Sequence, residues 1–582
     1  MCKVIKGENR VVEASAKSSG DQKMLKRGMK MRDLYFAGLT AVIGSGWLFG
    51  GYLTASVAGP ASIISWIIGG IFILIIALVW SEIATAVPIA GGAARYANFT
   101  HGGVAASIIA WSTILTYIAV PAVEAVAVIS ILQGALTYYG VTGVLLMNAS
   151  GMPSVYGVAI AAAFSGAFFY VNYIGLKGLI KTNFGMTIWK LIIPPIAVIL
   201  LLIFGLSKGF GTNFLSYGFV YQNNYGAIFS AIPATGVVFA YLGFRQPVEM
   251  AAEAKSPGRD IWRALVAVTL TGMGIYILLE IAFLGALGWN SNTFGTAGVL
   301  AGQYGNLSTT LPMYSFPYFY EAMGLGLGSL GIVLIIDGVV SPTGTLSQYM
   351  GSTARVIYGT AKEGYLSSSF FNVHEKHRVP TLGIIVTFIV TVALLIIAGV
   401  GYLVSSVGGA WSALVSIVTT TGVFSYIIGP IALMSFRKSH PNLKRPFALP
   451  YYQVFALVAF VVSSLMVYWG AGSLNTPTDP YGGYILLVII LAGLVLYTYA
   501  KGRNLMNDIK TGSWVVVFLL FNILLLYLGE YGINALYMPI DWIVDIIAAI
   551  VFFFWATKTT ISDKEMIDKI DQSINMTEGT VD

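Results

Sequence analysis

Between residues 33 and 556 the chain is a succession of apolar runs separated by short polar connections. About fourteen of these runs reach the ~20 residues that cross a bilayer as a helix. In hydrocarbon every backbone amide must be satisfied internally, so such a chain folds as packed helices. Hydrophobic residues make up 57% of the 582 and charged residues only 10%, far below the ~25% of a soluble domain. The 66 glycines and 20 prolines are spread through the apolar runs, which neighbouring helices tolerate. The expectation is an all-α polytopic protein whose first partner is the lipid bilayer. The lone cysteine, Cys2, excludes an intrachain disulfide.

The basic residues orient the chain. When connections are assigned alternately to two sides, all 32 Lys and Arg but three fall in the leader, the loops of one side, or the tail. The exceptions are Lys208 on the other side and Lys190 and Arg245 inside runs. By the positive-inside rule both termini are then cytoplasmic and the location is the cell membrane. The +7 formal charge is chiefly this orientation signal, and no basic patch with interleaved aromatics suggests nucleic acid. Residues 1–32 read as a cytoplasmic leader without a signal peptide, and residues 557–582 as a solvated cytoplasmic tail. The outer connection 288–324 is long enough to cover an extracellular mouth.

Two runs carry helix-breaking sequence near their middle. The first, residues 33–57, contains Ile43-Gly44-Ser45-Gly46-Trp47; the sixth, residues 226–252, contains Phe239-Ala240-Tyr241-Leu242-Gly243-Phe244-Arg245 between Pro233 and Pro247. Interior glycine disfavours helix by about 1 kcal/mol relative to alanine, and it also lets a ligand approach the backbone. Interruptions five spans apart are what two inverted five-helix repeats produce, with a binding site at their interface; the alternative is that Gly-Ser-Gly simply packs two helices tightly. An uncoiled stretch offers N–H groups to a carboxylate and C=O groups to an ammonium, which together suit an α-amino acid zwitterion.

Several motifs in sequence order resemble the amino acid-polyamine-organocation superfamily of transporters. They are Gly44-Ser45-Gly46, Ser81-Glu82-Ile83-Ala84 running into Val87-Pro88-Ile89-Ala90-Gly91-Gly92, Phe239 to Phe244 followed by Glu253-Ala254-Lys255-Ser256-Pro257, and Ser341-Pro342-x-Gly344-Thr345 with Arg355 after it. The resemblance covers roughly residues 30 to 500, and the fourteen spans are similar to the branch containing cationic amino acid transporters. It implies a LeuT-like five-plus-five inverted repeat with discontinuous first and sixth helices: a first repeat over 33–206, a second over 226–434, and four peripheral helices over 451–556. It further implies secondary amino acid transport, as a proton symporter or alternatively as an exchanger, facilitator or non-transporting sensor. No enzyme activity, cofactor or metal is expected, and a monomer or homodimer fits equally.

Residue by residue, the resemblance implies that the substrate carboxylate meets Ser45 and Gly46, and the amino group the carbonyls of Val42, Phe239 and Leu242. Ile43, Gly44, Ala240, Tyr241 and Gly243 complete the two breaks. Phe239 is either the aromatic that closes over the substrate or an ordinary core residue. Arg245, where many relatives carry an acid, either disfavours a cationic substrate, so that a neutral or acidic one fits better, or pairs with Glu249 one turn on.

Lys190 lies in the fifth span (183–206), about 10 Å past Asn183 at 1.5 Å per residue. A mid-helix charge costs roughly 3 kcal/mol or more and usually has a partner or a task. The resemblance implies that Lys190 replaces a sodium ion and handles the coupled proton, with Ser341 as neighbour; the alternative is snorkelling to the interface. Glu124 of the third span (104–133) is expected in the pocket, and Glu280 and Asp337 in packing or interhelical hydrogen bonds. Gly205-x-Ser207-x-Gly209 and Gly326-x-Gly328-x-x-Gly331 match enzyme motifs in spacing but lack the flanking elements those motifs need, and His374-Glu375-Lys376-His377 falls one residue short of the zinc-binding spacing it resembles.

Overall fold

A computed structural model describes residues 27–141, 143–148, 151–206, 210–289, 301–308, 316–377, 379–400, 409–476, 479–499 and 505–578. Most of the leader and about half of the 288–324 connection, with Ser207 and Gly209, lie outside the described residues. Within them the regular structure is helical, and the only β pairing consists of two isolated bridges, Met29 with Ala254 and Met147 with Pro153.

Among the described residues twelve helices are long and apolar enough to cross a membrane, or thirteen when a bent pair in the sixth span is counted. The sequence reading expects fourteen. The difference arises at Ser45–Ala86, which passes as one stretch of 42 residues. At 1.5 Å per residue a straight helix of that length would run about twice the ~30 Å hydrocarbon core. Gly59, at φ +65 and followed by a 3-10 turn over Gly59–Ala61, interrupts it before the helix Ser62–Ala86. Exposed apolar side chains form stripes, such as Ile188, Ile192, Ile196, Ile199 and Ile203 on the fifth span. Their three- and four-residue spacing marks one helix face, the face a lipid-exposed helix requires.

The first span is broken where expected. Helix Met31–Val42 ends at Ile43 (φ −81, ψ 81), Gly44 is extended differently (φ −115, ψ −141), and a second helix runs Ser45–Ala58. The sixth span breaks earlier than its sequence suggests. Helices Ala227–Ala234 and Val237–Glu249 meet at 52° around Thr235-Gly236. Gly236 takes the left-handed conformation (φ +96), which only glycine adopts without strain. Phe239–Tyr241 are helical, and the second irregularity is a 3-10 turn at Leu242–Arg245.

The two broken spans cross in backbone contact. A Cβ on Gly46 would sit 2.8 Å from Ala240 Cα, and one on Gly243 would overlap the Ala41 carbonyl carbon and the Val42 nitrogen. Tight packing and helix breaking, posed as alternatives from the sequence, therefore coexist. The third span, helix Gly103–Tyr138, is buried along nearly its whole length and packs against the eighth (Gly328–Lys362) and tenth (Gly409–Tyr426).

The motif charges tie spans together. Arg437 donates to Glu82 at 2.6 and 2.9 Å, and Arg355 holds Glu253 through both of its carboxylate oxygens. Beneath the sixth span, Gly28 and Met29 donate their N–H groups to Glu253 O at 2.9 and 3.0 Å, and Lys255 N–H returns a bond to Met29 O at 2.8 Å.

The C-terminal segment departs from the expected solvated tail. Residues Asp563–Glu578 form a helix whose Met566 and Ile570 are fully buried. It rests against the buried helix Gly92–His101, with Lys569 donating to Asn98 O at 3.2 Å and Arg95 to Ser573 Oγ at 3.2 Å. The four-residue spacing of Met566 and Ile570 gives an otherwise charged helix one apolar face.

Candidate functional site

The broken first span leaves amide and carbonyl groups without helical partners, and side chains from four other spans meet them. Ser45 N–H, at the start of the second half-helix, donates to Glu124 Oε2 of the third span at 2.9 Å. Glu124 is fully buried and its Oε1 makes no hydrogen bond. A carboxylate on a helix N-terminus is the arrangement that amide dipoles favour. Gly44 makes room for it: a Cβ there would lie 2.5 Å from Glu124 Oε1 and 2.6 Å from Thr345 Oγ1. Ser45 Oγ accepts a bond of 2.9 Å from Trp411 Nε1 of the tenth span.

The carbonyl side of the breaks is held by Tyr276 of the seventh span. Its hydroxyl lies 2.6 Å from Val42 O and 3.3 Å from Ala240 O, so one group addresses both broken helices. Val42 O also accepts from Gly44 N–H at 2.9 Å. Tyr426 reaches Leu242 O at 3.5 Å. Phe239 is almost entirely buried and meets the Trp411 ring edge-on, with centroids 5.8 Å apart. Tyr241 packs on Tyr276 at 5.2 Å. Ile43 O accepts a long contact, 3.5 Å, from Thr345.

Lys190 is fully buried, and its ammonium donates to Thr40 O at 2.6 Å and Thr345 Oγ1 at 3.1 Å. Snorkelling is therefore not what this side chain does. The expected neighbour Ser341 lies one helical turn before Thr345 and donates instead to Asp337 Oδ1 at 2.9 Å, which also accepts from Trp189 at 2.7 Å. Thr345 in turn donates to Thr40 O at 2.8 Å. Lys190, Thr345 and the last turn of the first half-helix thus join the fifth, eighth and first spans. Glu124 lies across the break, within electrostatic range of Lys190.

Arg245 forms the local pair. It lies 3.2 Å from Glu249, both side chains are wholly buried, and its guanidinium faces the rings of Trp80, Tyr117 and Tyr426 at 5.1, 5.3 and 4.9 Å. It also donates to Ser425 Oγ at 3.0 Å. Each of these contacts is to the protein's own side chains, and the cation is compensated by Glu249.

Sequence reasoning missed Thr345 as the lysine's partner, although its motif Ser341-Pro342-x-Gly344-Thr345 was in view. Helical periodicity alone does not say which of two hydroxyls one turn apart faces a neighbouring span. Tyr276 and Trp411 carried no local signal, because an aromatic residue in an apolar run looks like core.

The family model described as "Amino acid permease" matches residues 30–494. Over 543 residues the chain is 33% identical to the glutamate/serine transporter AimA of Bacillus subtilis, covering 92% of this chain and 94% of that protein. It is 30% identical to the aspartate-proton symporter of the same organism over 536 residues, covering 92% and 96%. Similarity to the cationic amino acid transporter 1 of Arabidopsis thaliana is 26% over 258 residues, 44% of this chain and 42% of that one. Broken apolar helices, a buried fifth-span lysine and a match along most of the chain agree: this multi-pass membrane protein belongs to the amino acid permease family of the amino acid-polyamine-organocation superfamily.

Proposed function

We propose that the chain is a secondary active transporter that moves a neutral or acidic amino acid together with a proton, by alternating access around the first and sixth spans. The observation that carries this reading is the pairing at the breaks: a carboxylate, Glu124, on the Ser45 amide and a hydroxyl, Tyr276, on the Val42 and Ala240 carbonyls. A zwitterion has those two functions at its two ends, so protein groups satisfy in its stead what the substrate's carboxylate and ammonium would satisfy. Ser45 and Gly46 then receive the substrate carboxylate, and Val42, Ala240 and the neighbouring carbonyls of Phe239 and Leu242 the ammonium. Ile43, Gly44, Tyr241 and Gly243 shape the crossing.

With Arg245 neutralised by Glu249, the preference for a neutral or acidic side chain no longer rests on that charge. Its support is the printed activities of the two relatives that match along most of the chain, glutamate/serine transport and aspartate-proton symport. Lys190 and Glu124 are the groups we assign to the proton, Lys190 because loss of its charge would loosen the fifth span from Thr40 of the first and Thr345 of the eighth, with Ser341 holding the adjoining Asp337. Entry of one proton at 100 mV supplies about 2.3 kcal/mol, enough for roughly forty-fold accumulation of a neutral substrate at 1.4 kcal/mol per decade.

Two measurements test this. A thermal-shift screen against the twenty amino acids identifies the ligand, since a ligand at about a hundred times its Kd stabilises by ~2.7 kcal/mol. Proteoliposomes under an imposed pH gradient then separate symport from exchange: symport predicts net uptake that Lys190→Ala abolishes while counterflow continues. Uptake seen only against preloaded amino acid would make the protein an exchanger.

A further inference from the structure

The C-terminal helix Asp563–Glu578 does more than cover apolar surface. Met566 and Ile570 are fully buried and Ser573 nearly so; steps of four and three residues put all three on one helix face. The segment before it is pinned, because Ile561 N–H donates to Thr100 O at 2.8 Å and His101 Nε2 lies 2.9 Å from Ala556 O. Helix Gly92–His101, against which it rests, connects the second span to the third.

Two residues of that connecting helix serve two partners each. Arg95 directs Nε to Glu363, just past the end of the eighth span, at 2.7 Å, and Nη2 to Ser573 Oγ at 3.2 Å. Asn98 donates its amide to the other Glu363 oxygen, accepts from the Tyr365 hydroxyl at 2.9 Å, and receives Lys569 Nζ on its backbone carbonyl at 3.2 Å. Docking of the C-terminal helix therefore positions the same Arg95 and Asn98 that grip the eighth span. Gly91 is already flush with that span, since a Cβ there would stand 2.9 Å from Gly359 Cα.

The C-terminal helix also reaches the tenth span, which continues as helix Ile428–Ser439. Ser439 Oγ donates to Asp563 Oδ1, and His440 Nε2 lies 3.3 Å from Asp571 Oδ1. Two residues before Ser439, Arg437 holds Glu82 of the second span. One helix thus ties the ends of the second, eighth and tenth spans on one face of the membrane. Its polar contacts are partly wet, with Asp571 52% and Lys569 24% exposed, and such contacts add little stability each. Most of the grip comes from Met566 and Ile570, and because the helix is covalently tethered it re-docks readily after release.

We infer that the helix Asp563–Glu578 is a strap that holds this face of the protein shut and loosens when the face opens. The inference rests on the proposed alternating access, but its test does not require transport. The reporter is Ser352, fully buried on the same half of the eighth span, where its hydroxyl donates to Gln246 of the sixth. The control is Ser65, fully buried at the opposite end of the second span, about 25 Å along the helix from Glu82 at 1.5 Å per residue.

Full-length protein carrying Cys2→Ser and either Ser352→Cys or Ser65→Cys is placed in lipid nanodiscs and labelled with a polar maleimide. Adding Met566→Ser and Ile570→Ser removes the apolar grip, and labelling at Ser352→Cys is expected to quicken by at least about tenfold, while labelling at Ser65→Cys does not quicken. Unchanged labelling at Ser352→Cys would overturn the inference, as would an equal rise at both reporters, which would mean general loosening. If that variant does not fold, Lys569→Ala with Ser573→Ala decides by the same comparison, with a rise of about two- to fivefold expected at Ser352→Cys alone. The thermal-shift response of the unaltered protein to amino acids reports on the substrate reading, so failure of that reading and failure of the strap are told apart.

Discussion

Removing the Tyr276 hydroxyl tests whether it stands in for the substrate's ammonium. Tyr276→Phe keeps the ring packed on Trp66 and Tyr241 and deletes only the bonds of 2.6 Å to Val42 O and 3.3 Å to Ala240 O. Val42 O keeps the Gly44 amide, so the loss is that of a typical buried hydrogen bond, about 0.5–1.5 kcal/mol, and not the full penalty of an orphaned carbonyl. That cost falls on the substrate-free protein. An ammonium that takes over the two carbonyls restores it, so substrate affinity rises by roughly two- to tenfold at 1.4 kcal/mol per decade. Thermal unfolding without ligand and calorimetric titration of L-serine and L-glutamate read the two effects. The empty protein is expected to melt lower and to bind more tightly. Unchanged stability together with weaker binding would refute the reasoning, because the hydroxyl would then be a direct substrate contact and not a placeholder.

Gly243→Ala drives a Cβ into the backbone of Ala41 and Val42, where no side chain can swing away; a loss of about 1–3 kcal/mol, the usual scale of overpacking, is expected in thermal unfolding, with amino acid binding lost as the breaks separate. Arg245→Met strands Glu249 in a fully buried site and is expected to destabilise by about 3–5 kcal/mol. The double variant Arg245→Met, Glu249→Gln recovers most of that; a double variant as unstable as the single would show that the aromatic contacts of Arg245, and not the ion pair, matter.

How much of this was legible beforehand differs element by element. The first-span break was readable because Ile43 to Gly46 contains two glycines, and local backbone preference is a property of sequence. In the sixth span the sequence places the interruption over Phe239–Arg245, where a 3-10 turn at Leu242–Arg245 does lie, but the main bend is at Gly236, while Gly243 also serves the crossing with Ala41. Glycine relieves strain within one chain and permits approach by another, and only the neighbour's position tells the two apart. The C-terminal helix reads in the sequence as a solvated tail because its charge outweighs the two residues, Met566 and Ile570, that are buried when it docks beside a helix nearly five hundred positions earlier.

Apolar runs of bilayer length, with basic residues gathered at alternate ends, determine by themselves that the chain is a helical membrane protein, since hydrocarbon leaves an amide no other partner. Patterning along one strand of chain likewise marks where a helix cannot continue. What decides the site is long-range: Glu124 on Ser45, Tyr276 on two carbonyls, Lys190 on Thr40 and Thr345. A hydrogen bond fixes two groups within about 3 Å, whereas these partners lie between 36 and 234 residues apart, and no local pattern carries information at that range.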